Sequence, residues 1–208
     1  MTGRFIVLEG ADGTGKSTQV ARLAAWAREG GVEVVETREP GGTASGRAVR
    51  AVLLEGEDAL DARAEALLMA ADRAQALAEL VRPAIARGAW VVSDRHVPSS
   101  LVYQGVARGL GVDEVAGLNA WATAGTVPDL VVVLDLPDRE VEVRRAGRGT
   151  GDRLEREDDG FHATVRTAYR DLAAARGWDL VDASGDPEAV AARVRALVEA
   201  RLGRPTRP

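Results

Sequence analysis

Residues 10–18 read GADGTGKST, and this stretch decides the class of fold. It directly follows an apolar run of strand length, Arg4–Leu8 with Glu9 behind it, and it leads into Gln19–Trp26, whose apolar residues recur at helical spacing. The stretch satisfies the pattern G-x-x-x-x-G-K-[ST] of a phosphate-binding loop. Strand, glycine-rich loop and helix in this order favour that interpretation over a chance glycine-rich turn.

The chemistry of such a loop depends on Lys16 and Ser17. Glycines let backbone N–H groups close around a polyphosphate, and the following helix N-terminus adds partial positive charge. The lysine can reach the β- and γ-phosphates, and the serine hydroxyl can ligate Mg²⁺. Lys16 is also the only lysine of the chain, since every other basic side chain is arginine. This indicates a specific demand for a compact ammonium group.

Composition restricts the function classes. The chain has 208 residues, 46% of them hydrophobic and 28% charged, which is typical of one globular domain. It has no cysteine and two histidines, which excludes disulfides and disfavours a zinc site. Apolar runs are far shorter than the ~20 residues of a membrane span, and no signal-peptide pattern is present, so we expect a cytoplasmic protein. A net charge of −5 argues against a general nucleic-acid binder.

Strand and helix patterns alternate along the chain, which predicts one α/β domain with a parallel sheet. The predicted strands after the first are Val32–Thr37, Trp90–Asp94, Leu130–Asp135 and Trp178–Asp182. The predicted helices after the first are Ala44–Leu54, Ala59–Arg87, Pro98–Ala107, Asp113–Thr123, Asp138–Arg145, Arg156–Arg176 and Pro187–Leu202.

Two segments beyond the loop carry chemistry, TREPGGT at Thr37–Thr43 and SDRHVPSSLVYQG at Ser93–Gly105. Both follow predicted strands, and ligands of open parallel sheets lie at the carboxyl ends of the strands. Asp94 ends a buried strand, where a carboxylate needs a partner or a cation, and Arg95 can hold a phosphate with its forked donors. The two could instead form only a mutual ion pair, but their position at this edge favours ligand binding.

With these motifs the chain resembles the bacterial branch of the thymidylate kinase family, which belongs to the adenylate-kinase-like nucleoside monophosphate kinases. The resemblance covers nearly the full length. It rests on the phosphate loop, TREPGGT, ADRAQ at 71–75, DRH at 94–96 with SSLVYQG at 99–105, PDLVVVLDL at 128–136 and DRLE at 152–155. It implies a single P-loop kinase domain over 1–208, with a five-stranded parallel sheet in the order 2-3-1-4-5 flanked by helices, and a short lid at about 144–156.

The activity implied by the resemblance is transfer of the γ-phosphoryl group of ATP to dTMP, giving dTDP and ADP for dTTP synthesis and DNA replication. Such transfer needs mostly positioning and charge neutralisation. Ser17 would ligate Mg²⁺, and Asp94 would organise the water shell of the metal or orient Arg95. Arg144 or Arg145 would stack on adenine. The implied ATP site comprises Gly10, Ala11, Asp12, Gly13, Thr14, Gly15, Lys16, Ser17, Thr18 and Arg144.

The resemblance also implies the dTMP site. Arg95, helped by Arg38, would hold the acceptor phosphate, Arg73 and Gln104 would bond the thymine edge, and Tyr103 would exclude a 2′-hydroxyl. Asp12 would lie near the sugar and the transferring group; the alternative is a cap on the loop turn. The implied set is Asp12, Arg38, Met69, Arg73, Arg95, Ser99, Tyr103 and Gln104.

The chain departs from relatives at two positions. Met69 stands where they usually have a phenylalanine that stacks on thymine, and a thioether specifies the base plane less well. Gly13 stands where some relatives carry an arginine inside the loop, so the lid would supply the arginine finger, with Arg148 and Arg153 as candidates. The expected catalytic residues are therefore Asp12, Lys16, Arg95, Arg148 and Arg153.

Relatives form homodimers, and the helix predicted over Ala59–Arg87 is a candidate contributor to such an interface. The end of the chain, 203–208, is expected to be a disordered tail.

Two other functions stay open: a kinase for another small acceptor, supported by Met69 alone, and a nucleotide-dependent switch or nucleic-acid ATPase. A GTPase switch needs N-K-x-D, which a chain whose only lysine is Lys16 cannot contain.

Overall fold

A computed structural model of the chain describes residues 3–56, 60–141 and 151–206. Five parallel strands form one sheet in the order β2-β3-β1-β4-β5, which confirms the predicted order. The first strand extends one residue further than predicted, through Glu9. The strands are β1 Arg4–Glu9, β2 Val34–Arg38, β3 Trp90–Asp94, β4 Leu130–Asp135 and β5 Asp179–Asp182.

Helices cover both faces of this sheet, as expected for a parallel sheet whose strands are buried on both sides. They are α1 Lys16–Glu29, α2 Ala44–Arg50, α3 Ala62–Ala76, α4 Arg82–Ala86, α5 Val97–Ser100, α6 Val112–Thr123, α7 Asp159–Arg176 and α8 Pro187–Leu202. Residues 138–141 are also helical. The remainder of the helix predicted over Asp138–Arg145 lies outside the described residues.

Three predicted helices contain wider, π-type turns. The helix predicted over Ala59–Arg87 consists of α3, a π-type turn at Leu77–Val81, and α4. Pro83 in the first turn of α4 has no N–H to donate and its ring crowds the preceding turn, which favours the wider turn before it. Similar turns follow α2 at Ala51–Glu55 and α5 at Leu101–Ala107.

Capping side chains explain two helix starts that differ from the predicted ones. The Asp61 carboxylate accepts the backbone N–H of Arg63 at 2.9 Å, so α3 begins at Ala62. The Asp158 carboxylate accepts the N–H of Phe161 at 2.7 Å, so α7 begins at Asp159 rather than at Arg156. An aspartate in this position satisfies donors that the first turn of a helix leaves free.

The core lies on both sides of the sheet. One apolar cluster packs Leu23 of α1 and Val194 of α8 against Ile6 and Leu8 of β1. A second cluster joins Val102 and Val165 with the π-type turn after α2. The two clusters fix α1, the π-type turn that follows α5, and α7 around the carboxyl edge of the sheet, where the polar motifs lie.

One residue of the C-terminal segment packs against helix α1. Pro205 is buried, and its carbonyl and ring lie against Gly30 at the end of α1. This residue lies in the segment 203–208 for which a disordered tail is expected, and that expectation stays a prediction. Among the described residues, no helix is long and apolar enough to cross a membrane.

Candidate active site

The phosphate loop joins β1 to α1 and has the backbone that its glycines permit. Gly10, Gly13 and Gly15 have φ angles of 132°, 92° and 91°. A Cβ at Gly10 would lie 2.4 Å from the carbonyl oxygen of Leu134 in β4, so a side chain there would separate the loop from the sheet. Helix α1 then begins at Lys16, with its first N–H groups at the mouth of the loop.

Lys16 lies inside the loop rather than in solvent. Its Nζ donates to the carbonyl oxygens of Gly10 at 3.0 Å and Ala11 at 2.9 Å, and only 7% of the residue is exposed. Burial, together with the nearby Arg95 guanidinium, lowers the pKa of the Lys16 amine. The ammonium therefore lies where an anionic ligand would stabilise its charged form.

Arg95 has a backbone conformation that is unusual for a residue with a side chain. Its φ is 74°, and its N–H donates to the carbonyl of Leu8 at 2.9 Å. Its guanidinium reaches the Gly10 carbonyl at 3.1 Å and the Asp12 carboxylate at 2.5 Å. The turn after β3 thus holds the Arg95 guanidinium against the phosphate loop.

Asp12 is an ionised carboxylate in this cluster. Burial would raise its pKa, but the charges of Arg95 and Lys16 and a hydrogen bond from the Tyr103 hydroxyl, 3.0 Å away, hold it well below the usual range. Tyr103 also packs its ring under the Arg95 guanidinium, 5.2 Å from the centroid. The alternative role of Asp12 as a cap on the loop turn has no counterpart among the described hydrogen bonds.

Glu9 is a site residue that sequence reasoning missed. It is fully buried, and its carboxylate accepts the N–H of His96 at 2.7 Å, the Ser99 hydroxyl at 2.6 Å and the Tyr169 hydroxyl at 2.9 Å. Both hydroxyls also contact Arg95, at 3.0 Å each. Glu9 therefore holds the turn that carries Arg95. Its place directly before the loop was the available signal, whereas nothing in the sequence pointed to Tyr169.

Ser17 and Asp94 lie next to each other at the mouth of the phosphate loop. The Ser17 hydroxyl donates to Oδ2 of Asp94 at 2.6 Å, at the N-terminus of α1 and the end of β3. Arg38 ends β2 opposite Asp94 in the strand register and is exposed toward the same cleft. A hydroxyl and a carboxylate oxygen beside a phosphate loop are the hard oxygen donors that Mg²⁺ prefers.

Arg73 is buried and almost fully bonded, contrary to the usual behaviour of an arginine on a helix. Its Nε donates to Glu39 at 2.7 Å, Nη1 to Ser100 at 3.0 Å and to Asn119, and Nη2 to the His96 carbonyl at 3.0 Å. A guanidinium has five N–H groups, so one on Nη2 is left for a ligand. Glu39, Ser100 and Asn119 are further residues that sequence reasoning did not single out.

Gln104 and Arg153 share one buried carboxylate, Glu65. Gln104 donates its Nε2 to Glu65 at 2.8 Å, and Arg153 donates Nη2 to the other oxygen at 2.6 Å. Arg153 also bonds the Leu53 carbonyl at 2.7 Å. It does not line the cleft, whereas its neighbours Asp152 and Leu154 do. Glu65 holds Arg153 in this structure, because a buried carboxylate needs a cationic partner, and a role of Arg153 at the phosphates stays a prediction.

One cleft contains most of the predicted site residues. Arg144 and Arg148 lie outside the described residues, and Gly10, Ala11 and Thr14 form the interior of the loop rather than the cleft wall. Met69 is half-buried and lines the cleft. The predicted residues that line it are Asp12, Gly13, Gly15, Lys16, Ser17, Thr18, Arg38, Met69, Arg73, Asp94, Arg95, Ser99, Tyr103 and Gln104.

The fold and this cleft define a P-loop kinase. The phosphate loop lies at the carboxyl edge of a 2-3-1-4-5 parallel sheet, and Arg95 and Arg38 face it from the next two strands. A donor polyphosphate and an anionic acceptor can therefore meet in one cleft.

Comparisons with known proteins identify the family. The sequence model of the thymidylate kinase family matches residues 8–194. The thymidylate kinase of Clavibacter sepedonicus is 49% identical over 94% of this chain and 94% of its own. Those of Rhizorhabdus wittichii and Halothermothrix orenii are each 47% identical, over 96% and 91% of this chain and 97% and 93% of their own. The chain belongs to the thymidylate kinase family.

Proposed function

We propose that this protein transfers the γ-phosphoryl group of ATP to dTMP, giving dTDP and ADP, as a step of dTTP synthesis. The observation that carries the proposal is the contact between Arg95 and the phosphate loop, 3.1 Å from guanidinium to the Gly10 carbonyl. A phosphate held by Arg95 lies next to the terminal phosphate of a nucleotide in that loop. Membership of the thymidylate kinase family supports dTMP as the acceptor.

The chain's own residues supply positioning and charge. Lys16 exchanges its two loop carbonyls for phosphate oxygens of ATP, while Arg95 and Arg38 hold the acceptor phosphate in line with the γ-phosphate. The attacking oxygen belongs to a phosphate that is already anionic, so no general base is needed. Asp12 stays ionised and fixes Arg95 through their 2.5 Å contact.

Ser17 and Asp94 are the residues that would hold Mg²⁺ with the ATP phosphates. Their hydroxyl and carboxylate oxygens are 2.6 Å apart and line the cleft beside Lys16, so the donor set fits this cation. When bound, Mg²⁺ neutralises charge on the β- and γ-phosphates.

Residues at the far end of the cleft recognise the base and the sugar. Arg73 has one N–H left for a carbonyl oxygen of the base, and Gln104 offers its amide. Met69 contacts the face of the ring, and the buried ring of Tyr103 occupies the space beside the sugar, which disfavours a 2′-hydroxyl.

The proposal extends to a homodimer and to the lid. Leu67 of α3 is 58% exposed and Trp121 of α6 is 83% exposed, and these helices pack against each other. A second copy of the chain would cover such large apolar side chains. Arg153 is bonded to Glu65, so Arg148 is the residue that we propose as the lid arginine that stabilises the transition state.

The acceptor profile of the purified protein tests the activity. ADP release with Mg²⁺ and ATP should depend on dTMP, with dTMP preferred over dCMP and UMP. Arg95→Ala should lower kcat/KM for dTMP by at least about 100-fold, because it removes a charged phosphate contact. Arg87→Ala is the matched control, since Arg87 pairs with Glu33 at the opposite end of the sheet. A profile in which another acceptor exceeds dTMP would overturn the proposal.

A further inference from the structure

The amide of Gln104 has two chemically different ends, and the structure fixes which one faces the cleft. Its Nε2 donates to Oε1 of Glu65 at 2.8 Å. Gln104 lines the cleft and Glu65 does not. Among the described residues no donor contacts Oε1 of Gln104, so the carbonyl end is the one left to a ligand.

Glu65 can only accept hydrogen bonds, and this makes the orientation obligatory. The carboxylate is fully buried, and besides Gln104 it receives Arg153 at 2.6 Å and Arg108 at 3.3 Å. Burial opposes its ionisation, but the donors Gln104, Arg153 and Arg108 outweigh burial and lower the pKa of Glu65. An ionised carboxylate has no donor for a carbonyl oxygen, so turning the Gln104 amide around would set two oxygens against each other.

The two pyrimidines of DNA differ at N3, on the edge of the base that Gln104 would bond. Thymine carries N3–H, a donor, whereas N3 of cytosine is an acceptor. A fixed carbonyl oxygen accepts from thymine and repels cytosine, and leaving it unpaired in a buried site disfavours the wrong base by about 10–100-fold.

We infer that Glu65 is the residue that sets base selectivity, by holding the Gln104 amide with its oxygen toward the base. Glu65 touches no substrate atom and is therefore a positioning residue. The inference rests on the proposed dTMP kinase function, because it assigns the selectivity of that same site.

Glu65→Gln tests the inference, because the variant has nearly the same shape but can donate as well as accept. The Gln104 amide can then turn around and meet cytosine with its N–H group. The ratio of kcat/KM for dTMP to that for dCMP should fall about 10–100-fold. Arg108→Gln is the matched control, since it removes a partner of Glu65 that does not touch the amide, and its ratio should equal that of the wild type. A wild-type ratio in Glu65→Gln would overturn the inference.

A double-mutant cycle separates positioning from general structural damage. In a Gln104→Ala background, Glu65→Gln should leave the dTMP-to-dCMP ratio unchanged, because the amide through which Glu65 acts is gone. A further fall in that background would contradict the inference. If the wild type does not phosphorylate dTMP at all, the proposed function fails, which is a different result from an unchanged ratio in Glu65→Gln.

A substrate analogue gives a test that does not depend on the folding of Glu65→Gln. N3-methyl-dTMP lacks the donor that the Gln104 carbonyl accepts. Methylation should weaken binding at least about 10-fold more in the wild type than in Gln104→Ala. Equal losses in both proteins would show that the carbonyl does not read N3, and would overturn the inference.

Discussion

Lys16 is the residue that we propose holds the ATP phosphates, and it can be observed directly because it is the only lysine of the chain. A chain with one lysine gives one Nζ resonance when it is labelled with ¹⁵N-lysine. We expect the titration midpoint of that resonance to lie below the ordinary value, because burial and Arg95 disfavour the charged amine. ATP should raise the midpoint, since phosphate charges outweigh that of Arg95.

Two variants test the cause of this shift in opposite directions. Asp12→Asn removes a charge that raises the pKa of Lys16, so the midpoint should fall further. Arg95→Ala removes a charge that lowers it, so the midpoint should rise. A midpoint at or above the ordinary value in the wild type, or shifts of the same sign in both variants, would contradict the electrostatic account.

The residues predicted from the sequence differ from those missed in the range of their contacts. The phosphate loop is a local motif, and Lys16 bonds carbonyls five and six residues away. Glu9 acts through Tyr169, 160 residues later, and Glu65 through Gln104 and Arg153, 39 and 88 residues later. Local patterns carry no information about such pairs, so these positioning residues needed the three-dimensional structure.

At the scale of elements, Asp72 connects α3 to the segment that carries TREPGGT. Its Oδ1 accepts the N–H of Gly41 at 3.0 Å, while Oδ2 is buried without a described partner. A Cβ at Gly46 would lie 2.3 Å from Oδ1, so a glycine there lets α2 approach the carboxylate. Burial is the main cause that raises the pKa of Asp72 from 3.8 to about 6, and the charge of Glu39 adds to it.

This raised pKa predicts a pH dependence of stability. Between about pH 4 and pH 6 the folded state keeps a proton that the unfolded state has released, so the free energy of unfolding falls as the pH rises, by up to about 3 kcal/mol. Asp72→Asn should lack this fall and gain stability over the wild type from pH 4 to pH 8, as urea denaturation would measure. Asp171→Asn, an exposed control on α7, should leave the profile unchanged. Parallel profiles for Asp72→Asn and the wild type would refute the prediction.

The boundaries of the helices and strands show which local sequence signals determine where an element begins and ends. The strands and α8 follow the predicted pattern closely, because buried apolar runs and the proline at the start of α8 are strong local signals. The π-type turns could not be predicted, because a widened turn keeps the apolar spacing of a helix and is set by packing and by prolines such as Pro83.

At the scale of the whole molecule, the sheet order came from the resemblance rather than from periodicity. Alternating strand and helix patterns predict a parallel sheet but not which strands are neighbours. The order β2-β3-β1-β4-β5 puts the ends of β1, β2 and β3 side by side. This adjacency brings the loop, Arg38 and Arg95 into one cleft, so the site follows from topology once the order is known.

The homodimer proposed above is a prediction about the whole molecule, and it rests on the exposed apolar side chains of α3 and α6. We expect sedimentation equilibrium to give the wild type a molecular mass of twice 21.9 kDa. Trp121→Arg should weaken association at least about 30-fold, because it places a charge where a large apolar side chain, 83% exposed in the single chain, would be covered by the second copy. Leu180→Arg is the matched control, since Leu180 is 47% exposed on the edge strand β5, away from α3 and α6. Sedimentation equilibrium over a concentration series measures both, and a monomeric wild type or equal effects of the two variants would refute an interface at α3 and α6.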